Sequence, residues 1–268
     1  MLDLGEHIVL FGRAVYVFVF LLGLSLGSFL NSWIWRAREN IRIISNTRSM
    51  CINCRRQLSW YENIPVLSWF FLKGKCLGCK KEISVIYPIV ELVTAFLLVF
   101  IFHQYVKYVH FSEWGLLRDT FFLTLLIIIF IYDWRYKVIF SSIVWTGTII
   151  GFLINWLFLN FSFSSLVLAI FVGGGFFLLQ FLVSKGRWIG GGDVRMGIMM
   201  GAWLGWPNIL TALFFAYIFG SVVAIILLLL KKANSKTEIP FGTFLALGTF
   251  LSIYYGENII RWYLGLLK

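Results

Sequence analysis

The chain has 268 residues, of which 60% are hydrophobic and only 13% are charged. Its mean hydropathy is +0.88, and charged residues make up about half of the share found in a soluble globular domain, which excludes an ordinary water-soluble fold. The net charge is +11. Because membrane proteins collect basic residues in their cytoplasmic loops, this charge has a simple explanation and we expect no nucleic-acid partner.

Apolar runs of about 18 or more residues, long enough to cross a bilayer, recur along the chain. They predict an all-α polytopic membrane protein with about eight transmembrane helices and one soluble segment after the first span. The first run lacks the basic start and small-residue cleavage site of a signal peptide, so we expect it to be retained. The predicted spans lie at 8–35, 86–106, 119–139, 141–160, 163–184, 194–206, 208–230 and 241–264.

Three regions follow from this pattern: a first transmembrane helix in 1–35, a soluble domain in 36–85 and the remaining spans in 86–268. The soluble segment carries ten basic and three acidic residues, whereas loops on the opposite side, such as 155–163, carry no Lys or Arg. The positive-inside rule therefore puts 36–85 in the cytoplasm and both termini outside. The loop at 103–118 fits this orientation least well, because its Lys107 and Arg118 would lie outside.

All four cysteines lie in the soluble segment, as CINC (51–54) and CLGC (76–79). Two C-x-x-C pairs separated by 21 residues are typical of a four-thiolate zinc site, and a closed site of this kind is structural. A segment of about 50 residues buries little core, so a metal would stabilise it. Disulfides and unligated thiols are the alternatives, but a reducing cytoplasm disfavours disulfides. The predicted zinc ligands are Cys51, Cys54, Cys76 and Cys79.

Two aspartates stand beside apolar runs, unlike most of the acids. Asp133 follows FFLTLLIIIFIY, and Asp193 follows WIGGG. In the predicted orientation both lie near the cytoplasmic ends of spans. A lone aspartate there is commonly an interfacial acid paired with a nearby arginine, here Arg135 or Arg195. Two carboxylates at one depth instead share a proton, which suits peptide hydrolysis, although the sequence does not assign the role of each.

The glycines before Asp193 are expected to let a substrate backbone approach, and to allow positive φ angles and an irregular start of the sixth span. A phosphate-binding loop is the alternative for such a run. The run lacks both the spacing of a Walker or dinucleotide loop and a preceding strand. The predicted approach residues are Gly190, Gly191 and Gly192.

Six motifs, in order and nearly end to end, resemble the type IV prepilin leader peptidases, which are polytopic aspartyl proteases with a G-x-G-D signature. They are GSFLNSWIWR (27–36), the segment LSWYENIPVLSWFFLKGKC (58–76) with its flanking C-x-x-C pairs, IYPIVEL (86–92), IYDWR (131–135), GGGDVRMG (190–197) and IPFGTFLALG (239–248). The chain departs from the family pattern at Phe140-Ser141, where Pro-Asp is frequent, at Arg195, where lysine is common, and at Thr243, where proline is usual.

The resemblance implies an enzyme of the bacterial inner membrane that removes the short basic leader of type IV prepilins and pseudopilins at the cytoplasmic face. It implies that Asp133 and Asp193 form the catalytic pair and that the four cysteines bind zinc. Many family members then methylate the new N-terminus with S-adenosylmethionine. Gly27, Glu62 and Asn63 are the candidates for methyl transfer, against a structural interpretation in which Asn63 belongs to a turn and Gly27 to helix packing.

Three other functions stay open at this point. A transporter would also carry membrane acids, but it would place them near the midplane and show a related repeat in each half, which the sequence lacks. A non-catalytic scaffold would use the zinc domain to bind a partner and would tolerate Asp-to-Asn changes. A related G-x-G-D peptidase without methyltransferase activity, of the preflagellin type, would share the chemistry but not the substrate.

Overall fold

The computed structural model describes residues 4–39, 41, 48–107, 112–232, 237 and 239–266. Within these ranges the regular structure is helical, and β-pairing is limited to two isolated bridges. The chain forms two compact units, Met1–Ser112 and Glu113–Lys268. The predicted helical membrane fold is therefore confirmed, while the division into 36–85 and 86–268 stays a prediction.

The first unit is built on two long helices, α1 (Leu4–Arg38) and α3 (Ile86–Lys107), which pack along each other. Their backbones approach closely at small residues. A Cβ atom on Gly23 would lie 2.5 Å from Ala95 Cα, and one on Gly27 would lie 2.6 Å from Glu91 Cα. Small residues of this kind let membrane helices gain van der Waals contact. Gly27 is thus a packing residue of the α1–α3 interface.

A small module, residues 48–85, connects these helices and contains a 3₁₀ turn at Trp60–Asn63 and the short helix α2 (Leu67–Phe71). The module is held to the start of α3 by a hydrogen bond from the Val66 N–H to Glu91 Oε2 at 2.7 Å. Within the module, the Trp69 indole donates to the Ile83 carbonyl at 3.0 Å. The module therefore lies at one end of the helix pair.

The second unit contains the other six helices. They are α4 (Glu113–Tyr136), α5 (Ser141–Leu157), α6 (Phe163–Ser184), α7 (Gly191–Leu204), α8 (Asn208–Leu229) and α9 (Phe241–Leu266). Helix α7 is short and buried, and it packs against α5, α6 and α9. Its Gly197 and Gly201 meet the backbone of α6, where an added Cβ would lie 2.4 Å from the Gly173 and Ala169 carbonyl oxygens, respectively. This packing fixes α7 in the centre of the unit.

All eight predicted spans correspond to helices, and five of these helices are long and apolar enough to cross a membrane. Helix α5 has 17 residues and is apolar but shorter. Helix α4 begins six residues before the predicted 119 and ends at Tyr136, because Lys137 adopts the left-handed conformation (φ 53°) and stops it. The chain is thus a multi-pass helical membrane protein.

The prediction of an outer loop through residue 118 was wrong, because Arg118 lies in the second turn of α4 and is buried. Its guanidinium donates to Asp119 Oδ1 and to Asn155 Oδ1, each at 2.7 Å. Asn155 in turn donates to the carbonyls of Ala202 and Trp203 at the end of α7. The positive charge that fitted the orientation poorly is therefore neutralised inside the helix bundle.

Candidate functional site

Asp133 lies in the last turn of α4, where its buried carboxylate meets the first turn of α9. The Thr243 N–H donates to Asp133 Oδ2 at 2.9 Å, and the Thr243 hydroxyl lies 3.4 Å from the same oxygen. A Cβ on Gly242 would come within 2.9 Å of this oxygen, so only glycine leaves room for the carboxylate. Free amides at a helix N-terminus stabilise negative charge, which explains how a carboxylate is accommodated here.

Asp193 occupies the first turn of α7 and is also buried. Its Oδ2 accepts a hydrogen bond from the Gly190 N–H at 3.0 Å, which caps the start of the helix. The next basic residue, Arg195, donates to the Gly191 carbonyl at 3.0 Å and contacts the Ser141 hydroxyl. Arg195 thus ties the beginning of α7 to the beginning of α5 without neutralising the aspartate.

The two aspartates come together although they lie far apart in the chain. Ile139, in the connection between α4 and α5, packs against the glycine beside each aspartate. A Cβ on Gly242, next to Asp133, would lie 2.7 Å from Ile139 Cδ1, and one on Gly192, next to Asp193, would lie 3.3 Å from Ile139 Cβ. In the described ranges no ion pair joins either aspartate to Arg135 or Arg195, so the interfacial ion-pair interpretation is not supported.

The three glycines before Asp193 differ from the expectation in one respect. None of Gly190, Gly191 and Gly192 has a positive φ, because Gly190 is an extended cap (φ −81°) and α7 begins regularly at Gly191. The predicted irregular, positive-φ start was therefore wrong. The positions are nevertheless spacious, since a Cβ on Gly190 or Gly191 would meet nothing closer than 3.7 Å outside its chain neighbours.

The four cysteines converge in the module of the first unit. Their sulfur atoms all lie within 4.8 Å of one another, and Cys51 Sγ lies 3.8 Å from Cys79 Sγ. A tetrahedral zinc ion with Zn–S bonds of about 2.3 Å requires sulfur separations of about 3.8 Å. The residues present therefore fit a four-thiolate metal site.

The two cysteine pairs lie in the same local structure, which the sequence analysis missed. In each pair, the N–H of the first cysteine donates a hydrogen bond to the carbonyl oxygen of the residue five positions later. The distance is 2.9 Å from Cys51 to Arg56 and 3.0 Å from Cys76 to Lys81. An isolated bridge flanks each turn, Met50 with Gln57 and Lys75 with Glu82. The signal was present in the sequence as the related octapeptides CINCRRQL and CLGCKKEI.

The thiols of this cluster differ in their proton affinity when no metal is bound. The amides of Cys79 and Gly78 lower the pKa of the Cys76 thiol to about 6, although burial opposes them. Burial raises the pKa of the Cys51 thiol to about 11. Since a metal ion binds thiolates, metal binding would displace the proton from Cys51.

Glu62 is buried and is held by two groups of the module itself. The Arg56 guanidinium donates to both of its carboxylate oxygens, at 2.5 and 3.1 Å, and the Ser59 N–H donates at 2.8 Å. The arginine holds the pKa of Glu62 below its usual value. Neighbouring Asn63 is exposed. Of the three methyl-transfer candidates, Glu62 and Gly27 thus have structural contacts, and Asn63 has its side chain open to a ligand.

Two adjoining cavities lie between the module, the end of α1 and the start of α3, with volumes of about 150 and 590 Å³. Glu62 and Asn63 line the smaller cavity together with Glu91 and the buried thiols. The larger runs along α1, and Asn63 lines it too. The smaller cavity is below the volume of about 300 Å³ at which usual ligand sites begin, whereas the larger exceeds it by itself.

The fold and the site define a multi-pass helical membrane protein with two buried aspartates in one unit and a four-cysteine module in the other. Residues 21–105 match the family model for the bacterial peptidase A24 N-terminal domain, and residues 120–225 match that for the type IV leader peptidase family. The chain belongs to the type IV leader peptidase family.

Curated relatives agree with this assignment. Proteins named prepilin leader peptidase/N-methyltransferase from Aeromonas salmonicida (strain A449), Pseudomonas aeruginosa and Bacillus subtilis (strain 168) are 29%, 30% and 30% identical to this chain. The matches cover 92%, 91% and 92% of this chain and 92%, 91% and 96% of the relatives. No solved structure matches. The expectation of a peptidase of the bifunctional kind is confirmed at the level of the family.

Proposed function

We propose that this chain is a prepilin leader peptidase in which Asp133 and Asp193 form the hydrolytic pair. The observation that carries the proposal is the convergence of two buried carboxylates, each of which accepts a hydrogen bond from a backbone N–H at the start of a helix. Two acids in such surroundings are most stable when they share one proton. This state provides a base and an acid at the same place.

In the proposed reaction, the ionised aspartate takes a proton from water, and the resulting hydroxide adds to the scissile carbonyl carbon. The protonated aspartate donates its proton to the carbonyl oxygen. The tetrahedral intermediate then collapses: one of its hydroxyl groups returns a proton to the second aspartate as the carbonyl re-forms, the C–N bond breaks, and the amine leaves with the proton that the first aspartate had taken. The open surface at Gly190 and Gly191 would accept the extended substrate backbone, whereas Gly192 packs closely against Ile139.

The substrates we propose are type IV prepilins and pseudopilins, which present a short basic leader ahead of an apolar helix. For cleavage at the inner face of a bacterial inner membrane, we propose that the soluble segment 36–85 is cytoplasmic and that both termini are outside. The excess of basic over acidic residues in that segment supports this orientation.

For the second activity, we propose that the adjoining cavities of the first unit bind the methyl donor, with Asn63 as the polar contact. S-adenosylmethionine supplies an electrophilic methyl group, which the amine of the new N-terminus would attack. Zinc bound by Cys51, Cys54, Cys76 and Cys79 would have a structural role, because it holds both turns of the module and leaves no open coordination position.

The test uses the purified full-length protein in nanodiscs with a synthetic prepilin segment that includes the leader and the apolar helix. Mass spectrometry should detect leader release and, with S-adenosylmethionine present, one added methyl group on the product. Cleavage without methylation would support a preflagellin-type peptidase instead. No cleavage by a folded, zinc-loaded protein would contradict the proposed function.

A further inference from the structure

Helix α2 exposes its apolar side, although it belongs to a module that the charge pattern puts outside the bilayer core. Leu67, Phe70 and Phe71 are 54%, 63% and 82% exposed. They are spaced three and four residues apart, so they share one side of the helix. The other side is occupied by Trp69, whose indole bonds to the Ile83 carbonyl and packs against Gly74. We call Leu67, Phe70 and Phe71 the aromatic face.

Single exposed apolar residues need no explanation, but three large ones on one short helix mark an interaction site. Trp60, just ahead of α2 in the chain, is a further large aromatic side chain at 78% exposure. A soluble module without a partner would leave all this surface in water.

The attachment of α2 to α3 fixes its depth. Val66, immediately before α2, donates its N–H to Glu91 of α3. Glu91 lies about 7.5 Å along the helix axis from Ile86, at 1.5 Å per residue. Helix α3 has 22 residues and is therefore about 33 Å long, slightly more than the thickness of about 30 Å of the hydrocarbon core. The start of α3, and α2 with it, therefore lies at the boundary between the core and the headgroups.

The charges beside the aromatic face agree with this depth. Lys73 and Lys75 follow α2 directly, and both are exposed. Aromatic rings with adjacent lysines are the usual composition of segments that sit in an anionic membrane surface. Val85, just before α3, and Ile86 and Ile89 in its first turn are also exposed, so lipid contact would continue along the chain.

We infer that α2 is a membrane-surface anchor, whose aromatic face inserts among the headgroups of an anionic leaflet while Lys73 and Lys75 bind lipid phosphates. The anchor would hold the zinc module on the membrane surface. Its ligand class is anionic phospholipid.

The test places the photo-reactive residue benzoylphenylalanine at Phe71 of the full-length protein, in nanodiscs of mixed phosphatidylglycerol and phosphatidylcholine. Gln57, an exposed residue of the first cysteine turn, is the control position. Zinc content and prepilin cleavage should match wild type, which shows that both proteins are folded. After irradiation and digestion, peptides around residue 71 should carry lipid adducts several-fold more often than peptides around residue 57.

A second variant tests the charge. Replacing Lys73 and Lys75 with glutamine should lower the share of phosphatidylglycerol among the adducts at residue 71 several-fold. Three results would overturn the inference: equal lipid adducts at residues 71 and 57, cross-links from residue 71 mainly to added prepilin, or cross-links mainly to residues 113–268. The last two would assign the aromatic face to a protein partner.

Discussion

Gly242 gives the sharpest test of the geometry around Asp133. A Cβ at this position would lie 2.9 Å from Asp133 Oδ2, whereas ordinary contacts begin at 3.4 Å. The same Cβ would also lie 2.7 Å from Ile139 Cδ1, so the start of α9 cannot relieve the contact by moving toward Ile139. In Gly242→Ala the carboxylate must therefore move by about 0.5 Å. A misplacement of about 1 Å at a reacting group costs about 100-fold in rate, so we expect about a tenfold loss of kcat.

The assay compares kcat for prepilin cleavage and the melting temperature of Gly242→Ala and Gly175→Ala. Gly175 is a helical glycine in α6 at which an added Cβ meets nothing within 4 Å. Gly175→Ala should cleave like wild type. If Gly242→Ala cleaves as fast as this control, the carboxylate is not held where the reaction needs it, and the reasoning fails. If it loses activity only because it melts far earlier than the control, the argument from position is also refuted.

Three further predictions concern the first unit. Gly27→Ala should destabilise the unit by about 1–3 kcal/mol through overpacking, whereas the control Gly12→Ala, whose Cβ would meet nothing within 4 Å, should not. If Gly27→Ala loses methylation but melts like wild type, Gly27 contacts the methyl donor instead. Cys76→Ser should abolish zinc binding, measured by metal analysis, and make the module sensitive to trypsin, and full zinc retention would contradict the four-thiolate site. Glu62→Gln should lower the melting temperature of the module, because it weakens the ion pair with Arg56.

The loss of stability in Glu62→Gln should depend on pH in a way that follows from the lowered pKa of Glu62. Because the folded module holds the pKa of Glu62 below its usual value, the ion-pair contribution is complete above that value, about 4.3, and is lost only as pH falls through the lowered pKa. The melting difference between wild type and Glu62→Gln should therefore be constant from pH 8 to pH 6. A difference that shrinks over this range would mean that the pKa of Glu62 is raised instead.

The sequence predicts the helices well, because their apolar runs are long and their boundaries are marked by glycine, proline or charge. It also predicts the cysteine cluster, since two C-x-x-C pairs already specify two local turns. Both aspartates stand out because each interrupts or borders an apolar run. These features are local, and local patterns are what a sequence shows directly.

The contact between Asp133 and Thr243 could not be predicted in the same way, because it joins positions 110 residues apart. Only the packed bundle brings the first turn of α9 to the end of α4. Likewise, one of the two buried partners of Arg118, Asn155, comes from α5 and lies 37 residues away, so the sequence did not show that this arginine is buried. The repeat of the cysteine turns was visible in the sequence, but its meaning depended on the matching backbone hydrogen bonds.

The central claim is that Asp133 and Asp193 together hydrolyse the leader peptide bond. The most direct measurement is the rate of prepilin cleavage by purified Asp133→Asn and Asp193→Asn in nanodiscs, beside Glu257→Gln as the control. Glu257 is an exposed acid of α9, so its change tests the same carboxylate-to-amide substitution away from the site. Each aspartate variant should lose about 10²–10⁴-fold in rate with an unchanged melting temperature, while the control cleaves normally. Cleavage by either aspartate variant at the wild-type rate would contradict the paired mechanism.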